Sequence, residues 1–105
     1  MTTSFDLRID ETLLAIEDAI DDSGADIEYD TISGILTLEF PDDSKVILNR
    51  QGATSQLWIA AKSGGFHLDW IDGGWFCRGE QEDLLSLLNR VCTEQLKEPV
   101  SLTLD

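Results

Sequence analysis

The segment Lys45–Ala61 fixes more of the fold than any other part of the chain. Val46-Ile47-Leu48 and Leu57-Trp58-Ile59 are β-branched and aliphatic runs of strand character. Between them lies the polar stretch 49–56, with a turn signal at Gly52. Two short strands so close in sequence pair as antiparallel neighbours. Side chains alternate between the faces of a strand, so Leu57 and Ile59 share one face while Gln56, Trp58 and Ala60 share the other. With Leu57 and Ile59 in the core, Trp58 faces water among Asn49, Gln51 and Gln56. An exposed aromatic ringed by amides has the character of a protein-binding hot spot.

The rest of the chain must supply what covers the other face. At 105 residues it is expected to form one domain. No run approaches the length of apolar residues that crosses a bilayer. Met1-Thr2-Thr3-Ser4-Phe5-Asp6 has neither a basic region nor an apolar run, so no signal peptide is expected. Cys77 and Cys92 have no CxxC spacing and no small secreted scaffold around them, which points to free thiols and a cytoplasmic location.

Charge narrows the function. Twenty-one acidic residues stand against seven basic ones, a net of −14. Such a field repels nucleic acid and anionic membrane and favours cations and basic protein surfaces. It is concentrated: residues 1–30 hold ten acids and one base, Arg8.

Most of those acids fall on a first helix. Phe5, Ile9, Leu13, Ile16 and Ile20 recur at spacings of three and four, giving one apolar stripe, and Ser23-Gly24 ends it. Asp6, Asp10, Glu17 and Asp21 run along one edge of the stripe, and Glu11, Asp18 and Asp22 form a second row. Leu7 and Leu14 lie off the stripe. Like charges four residues apart repel, and Asp18, Asp21 and Asp22 stand near the helix C-terminus, where the dipole disfavours anions. Acids kept at that cost suggest a cation-binding ridge; the alternative is a solvated face. The donors are all hard oxygens, suited to Mg²⁺, Ca²⁺, Mn²⁺ and hard iron states rather than copper or zinc. Asp22-Ser23-Gly24-Ala25-Asp26 lacks calcium-loop spacing, so weak, exposed, poorly selective binding is expected.

After Gly24 the pattern is a meander. Ile27, Tyr29 and Thr31 alternate with Glu28, Asp30 and Ile32, and Ser33-Gly34 turns into Ile35–Phe40. Pro41–Ser44, Lys62–Gly65 and Ile71–Gly74 are further turns. His67 points to the polar face with no triad or metal-site partners in sight. A second helix over Glu80–Leu96 is expected, with Glu80, Glu82 and Asp83 at its N-terminus, Leu84, Leu85, Leu88, Val91, Cys92 and Leu96 on its buried face, and Pro99 beyond it. The alternating tail Val100–Leu104 is placed in the groove between the helices. The expected architecture is therefore α+β, a two-layer α/β sandwich: helix, five to six antiparallel strands, helix, with both helices on one face of the sheet.

Asn49-Arg50-Gln51 followed by Gln56-Leu57-Trp58-Ile59-Ala60, with Leu36–Phe40 and Ser44-Lys45 before and Gly64-Gly65-Phe66-His67-Leu68-Asp69 after, resembles the signature of the frataxin family in its bacterial form. The likeness runs from the first helix to about Val91. It implies the same sandwich and weak binding of ferrous and ferric iron, with other divalent or trivalent cations able to substitute. By position it implies Asp10, Glu17, Asp18, Asp21 and Asp22 as ligands, extended by Asp26, Glu28 and Asp30. Asp6 stands where some bacterial relatives carry histidine. It further implies docking to a cysteine desulfurase and an iron–sulfur scaffold protein, through the ridge and through the patch of Asn49, Gln51, Gln56 and Trp58, by a monomer that modulates cluster assembly and is no enzyme. Two other readings are iron oxidation and storage by iron-dependent oligomers, for which the paired Glu-x-x-His helices of di-iron proteins are missing, and a metal-independent acidic interaction domain.

Overall fold

A computed structural model describes residues 4–104; Met1, Thr2 and Thr3, the start of the segment in which no signal peptide is expected, lie outside them. Helix α1 (Ser4–Ser23) is followed by β1 (Glu28–Ile32), β2 (Ile35–Glu39), β3 (Lys45–Gln51), β4 (Gln56–Ala61), β5 (Gly64–Ile71), β6 (Gly74–Cys77), β7 (Glu82–Asp83) and helix α2 (Leu84–Leu96). The strands form one antiparallel sheet in the order β1 to β7. That is the two-layer sandwich the pattern implies, with a two-residue seventh strand added.

The apolar stripe of α1 is buried as its spacing requires: Ile9, Leu13, Ile16 and Ile20 join Leu36, Leu38, Val46, Leu48, Leu57, Ile59 and Leu68 from the sheet, and Leu87, Leu88, Val91 and Cys92 from α2. Ser33-Gly34 and Asp72-Gly73 close two-residue hairpins with positive φ at both positions, the geometry that matches the twist of paired strands. Leu7 and Leu14 remain 51% and 60% exposed, and nothing in the structure explains their apolar character. No helix among the described residues is long and apolar enough to cross a membrane.

The central hairpin is longer in strand than the residue pattern indicates. Asn49 pairs with Trp58 and Gln51 with Gln56, so the amides belong to strands and only Gly52–Ser55 forms the loop. Their directions are thereby set by the pleat.

The second helix is shorter than expected. It starts at Leu84, with Asp83 as N-cap accepting from the Ser86 amide at 2.8 Å. Glu80 and Glu82 do not enter its first turn. Glu82 pairs with Cys77 in β7, and both carboxylates accept from Arg90 of α2, at 3.0 Å for Glu80 and 2.8 Å for Glu82. The connection through residues 78–81 is a turn and Glu82 and Asp83 pair with β6, so the helix begins only at Leu84, with Arg90 bridging back to both acids. The tail runs back along α2. Asn89 accepts from the Leu102 amide at 2.8 Å and Thr93 accepts from the Val100 amide at 3.0 Å, and both Val100 and Leu102 are buried. Leu104 then reaches a cleft lined also by Arg8, Thr12 and Ala15 of α1.

Cys77 and Cys92 are free and buried. Burial pushes the Cys92 thiol up to about 12. An unfolded cysteine ionises near pH 8.5. The folded pKa lies above the unfolded one, so the stabilisation is complete below about pH 8.5 and is lost as pH rises from there towards 12. Denaturant unfolding across this range is expected to show stability falling more steeply in the parent than in Cys92→Ala.

Candidate functional site

The acidic face of α1 divides into two halves. In the N-terminal half, Arg50 of β3 reaches across to both first-row acids. Its Nη1 lies 3.0 Å from Asp6 Oδ1 and its Nη2 lies 2.5 Å from Asp10 Oδ1. The bond to Asp10, reinforced by Asp6, holds the Arg50 guanidinium above its usual value. In the C-terminal half the partners are neutral. Glu17 accepts from the Thr31 hydroxyl and Asp21 from the Tyr29 hydroxyl, the latter at 2.8 Å. The carboxylate of Asp21 in turn holds the Tyr29 phenol above its ordinary range. Asp18 and Asp22 are exposed, and no ion pair among the described residues reaches Glu17, Asp18, Asp21 or Asp22.

The acids beyond the helix part from this surface. Tyr29 and Thr31 turn towards α1, so the pleat sends Glu28 and Asp30 to the opposite side of β1. There Glu28 stands beside Glu39 and Asp30 beside Thr37. Asp26 and Glu28 line a hollow of about 210 Å³ with Glu39, Pro41 and Asp43. The eight acids thus form an α1 row and a separate group at the sheet edge. Among the described residues no three His, Cys, Asp or Glu side chains converge closely enough to hold an ion between them. The donors remain hard oxygens on an open surface, chemistry that fits a hydrated cation held by several carboxylates at once.

The other face of the sheet carries the second surface. Leu57 and Ile59 are buried while Trp58 is partly exposed. Asn49, Trp58 and His67 lie side by side across β3, β4 and β5. The Trp58 and His67 rings stack at 4.2 Å with 12° between planes. Trp58 Nε1 donates to Gln56 Oε1 at 2.9 Å, and Gln56 Nε2 donates to Asp69 Oδ1 at 3.1 Å. Arg78 approaches Asp69 at 3.6 Å. Gln51 accepts at 3.4 Å from the Ala53 amide, and Asn49 at 2.8 Å from the Arg50 amide. The indole is therefore held in place before any partner arrives.

Sequence reading missed the parts played by Arg50, Asp69 and Arg78. Alternation would have put Asp69 on the Trp58 face, since it follows His67 by two. Nothing local signals that Arg50 meets residues forty positions earlier.

The frataxin-like domain family model matches residues 1–98. The iron-sulfur cluster assembly protein CyaY of Vibrio cholerae is 45% identical over 98 residues, which is 93% of this chain and 94% of that protein. The protein of the same name from Photobacterium profundum is 42% identical, covering 93% of each. Among solved structures, a frataxin from Psychromonas ingrahamii superposes with a TM-score of 0.82 at 37% identity, over 90% of both chains. A trimeric yeast frataxin complexed with ferrous iron shares the fold, with a TM-score of 0.70 at 22% identity over 93% of this chain and 89% of that one.

Proposed function

The chain belongs to the frataxin-like family, and from that premise we propose that it modulates iron–sulfur cluster assembly in the cytoplasm without itself being a catalyst. Its bacterial relatives are named as assembly proteins of that pathway. In this reading the α1 ridge from Glu17 to Asp22 attracts iron weakly and docks a basic surface of the cysteine desulfurase, while Asp26, Glu28 and Asp30 add negative field from a separate group at the sheet edge. Asp10 takes part only as far as Arg50 releases it. Asn49, Gln51, Gln56 and Trp58 contact the scaffold protein bound there. The two surfaces lie on opposite layers of the sandwich, so a monomer touches two partners at once.

The observation that carries the metal part is the asymmetry of α1: acids facing a guanidinium at one end and only neutral hydroxyls at the other. Carboxylates without a resident counter-charge are where a hydrated cation gains most from the field. An anaerobic Fe²⁺ titration followed by amide NMR tests this. Shifts and broadening are expected in residues 17–22, and to vanish in an Asp18→Asn, Asp21→Asn, Asp22→Asn triple variant. No perturbation at millimolar iron would remove the metal role.

The same acids destabilise the free protein, because Asp18 and Asp22 repel each other and Asp22 adjoins the helix C-terminus. The Asp18→Asn, Asp22→Asn double variant is expected to melt higher by about 2–4 °C. Calorimetry in low salt checks it, and the gain should shrink as salt screens the charges.

A further inference from the structure

We infer that Arg50 is a resident counter-cation that closes the N-terminal half of the α1 ridge to metal ions and confines cation binding to the Glu17–Asp22 half. The inference rests on the reading of the ridge as a cation surface, and adds to it the residue that decides where on the ridge a cation sits.

Three elements build the seat. Asp6 and Asp10, one helical turn apart on α1, each take one nitrogen of the guanidinium, at 3.0 and 2.5 Å. Arg50 comes from β3, and its side chain is only 25% exposed. The β1–β2 turn supplies the floor: a Cβ on Gly34 would stand 2.9 Å from Arg50 Nη2, and Gly34 has φ +76°. Glycine therefore serves the turn and clears the path of the arginine.

The chemistry of exclusion follows. The planar fork of arginine satisfies two carboxylates at once with charge-assisted bonds. A metal ion entering between Asp6 and Asp10 would have to break both bonds. It would also meet a positive charge a few ångströms away, whose repulsion in this partly shielded position exceeds that in bulk water. The alternative, swinging Arg50 out, abandons the seat against Gly34. At the other end, Thr31 and Tyr29 orient Glu17 and Asp21 through neutral hydroxyls that leave the negative charge in place. The one base on the helix itself, Arg8, lies over the Trp70 ring, 4.8 Å from its centroid, and is directed to that side. The ridge thus has a closed end and an open end, set by a residue outside the helix.

Mn²⁺ is the probe, because it broadens the amides nearest to it. In the parent protein, broadening is expected across Glu17–Asp22 and not at Asp6 or Asp10 at the same concentration. Arg50→Gln should add a second locus at Asp6 and Asp10, with affinity there raised by about tenfold or more. Arg50→Lys, which keeps the charge, should keep that end closed. Equal broadening of both halves in the parent, or no gain in Arg50→Gln, overturns the inference. Broadening at neither half in the parent overturns the cation reading of the ridge, whereas a gain at Asp6 and Asp10 in Arg50→Gln would still support the role of Arg50. Should Arg50→Gln not fold, Asp10→Asn serves instead. It should leave binding across Glu17–Asp22 within about twofold, and a larger loss overturns the inference.

Discussion

Replacing Trp58 by alanine is expected to weaken association with the desulfurase–scaffold assembly by about 30-fold or more while leaving the fold intact. The magnitude is that of a central aromatic anchor, about 2 kcal/mol or above. Three features give Trp58 that standing. It projects from the face of the sheet that neither helix covers. Its ring is fixed by the stack on His67 and by the bond to Gln56, so little conformational freedom is lost on docking. Gln56 is itself held by Asp69. Stability should change little, because Leu57 and Ile59, not Trp58, fill the core beneath. Calorimetric titration of the partner complex, paired with a melting curve of the variant, separates the two effects. Phenylalanine at the same position should retain part of the affinity, since it keeps the stack and loses the indole donor.

The second large effect is on folding. Gln95→Ala is expected to destabilise the protein by about 2–4 kcal/mol, a large share of the stability of a domain this size. Gln95 is the only buried polar residue among those described, at 5% exposure. Its Oε1 accepts from the Lys62 amide at 3.0 Å, and its Nε2 donates to Ser44 Oγ at 3.0 Å and to the Lys45 carbonyl at 3.2 Å. One side chain on the last turn of α2 thereby ties together the β2–β3 and β4–β5 turns. Alanine would leave the Lys62 amide and the Lys45 carbonyl without it and open a cavity beside them. Urea unfolding should show a lower midpoint with an unchanged slope, the mark of lost stability rather than a changed unfolded state.

What the sequence reveals and what it hides follows from the range of each interaction. The α1 stripe, the hairpin turns and the direction of Trp58 are periodic and local, so Ile9, Leu13, Ile16 and Ile20 or Leu57 and Ile59 declare their face by spacing alone. The acids of α1 are equally plain. Their division into halves is not, because it depends on Arg50, which arrives through the sheet. The start of α2 is hidden for the same reason: Glu80 and Glu82 look like first-turn acids, yet Glu80 lies in a turn and Glu82 pairs with β6, with Arg90 bridging to both. Glu28 and Asp30 look continuous with the helical ridge in sequence, yet the alternation that sends Tyr29 and Thr31 to α1 must send them away from it. That was legible and is a matter of applying the pleat to charge as well as to apolar residues. Gln95 was partly legible, since it falls four residues after Val91 on the buried face of α2. Its three partners, more than thirty positions away, were not.

Cluster assembly on the scaffold, supplied with desulfurase, cysteine and Fe²⁺, tests the central claim most directly. The parent protein is expected to change the rate, and the Asp18→Asn, Asp21→Asn, Asp22→Asn variant, folded and at equal concentration, to leave the rate where it stands with no protein added. A variant that changes the rate as the parent does would contradict the account, because the ridge would then have no part in the function.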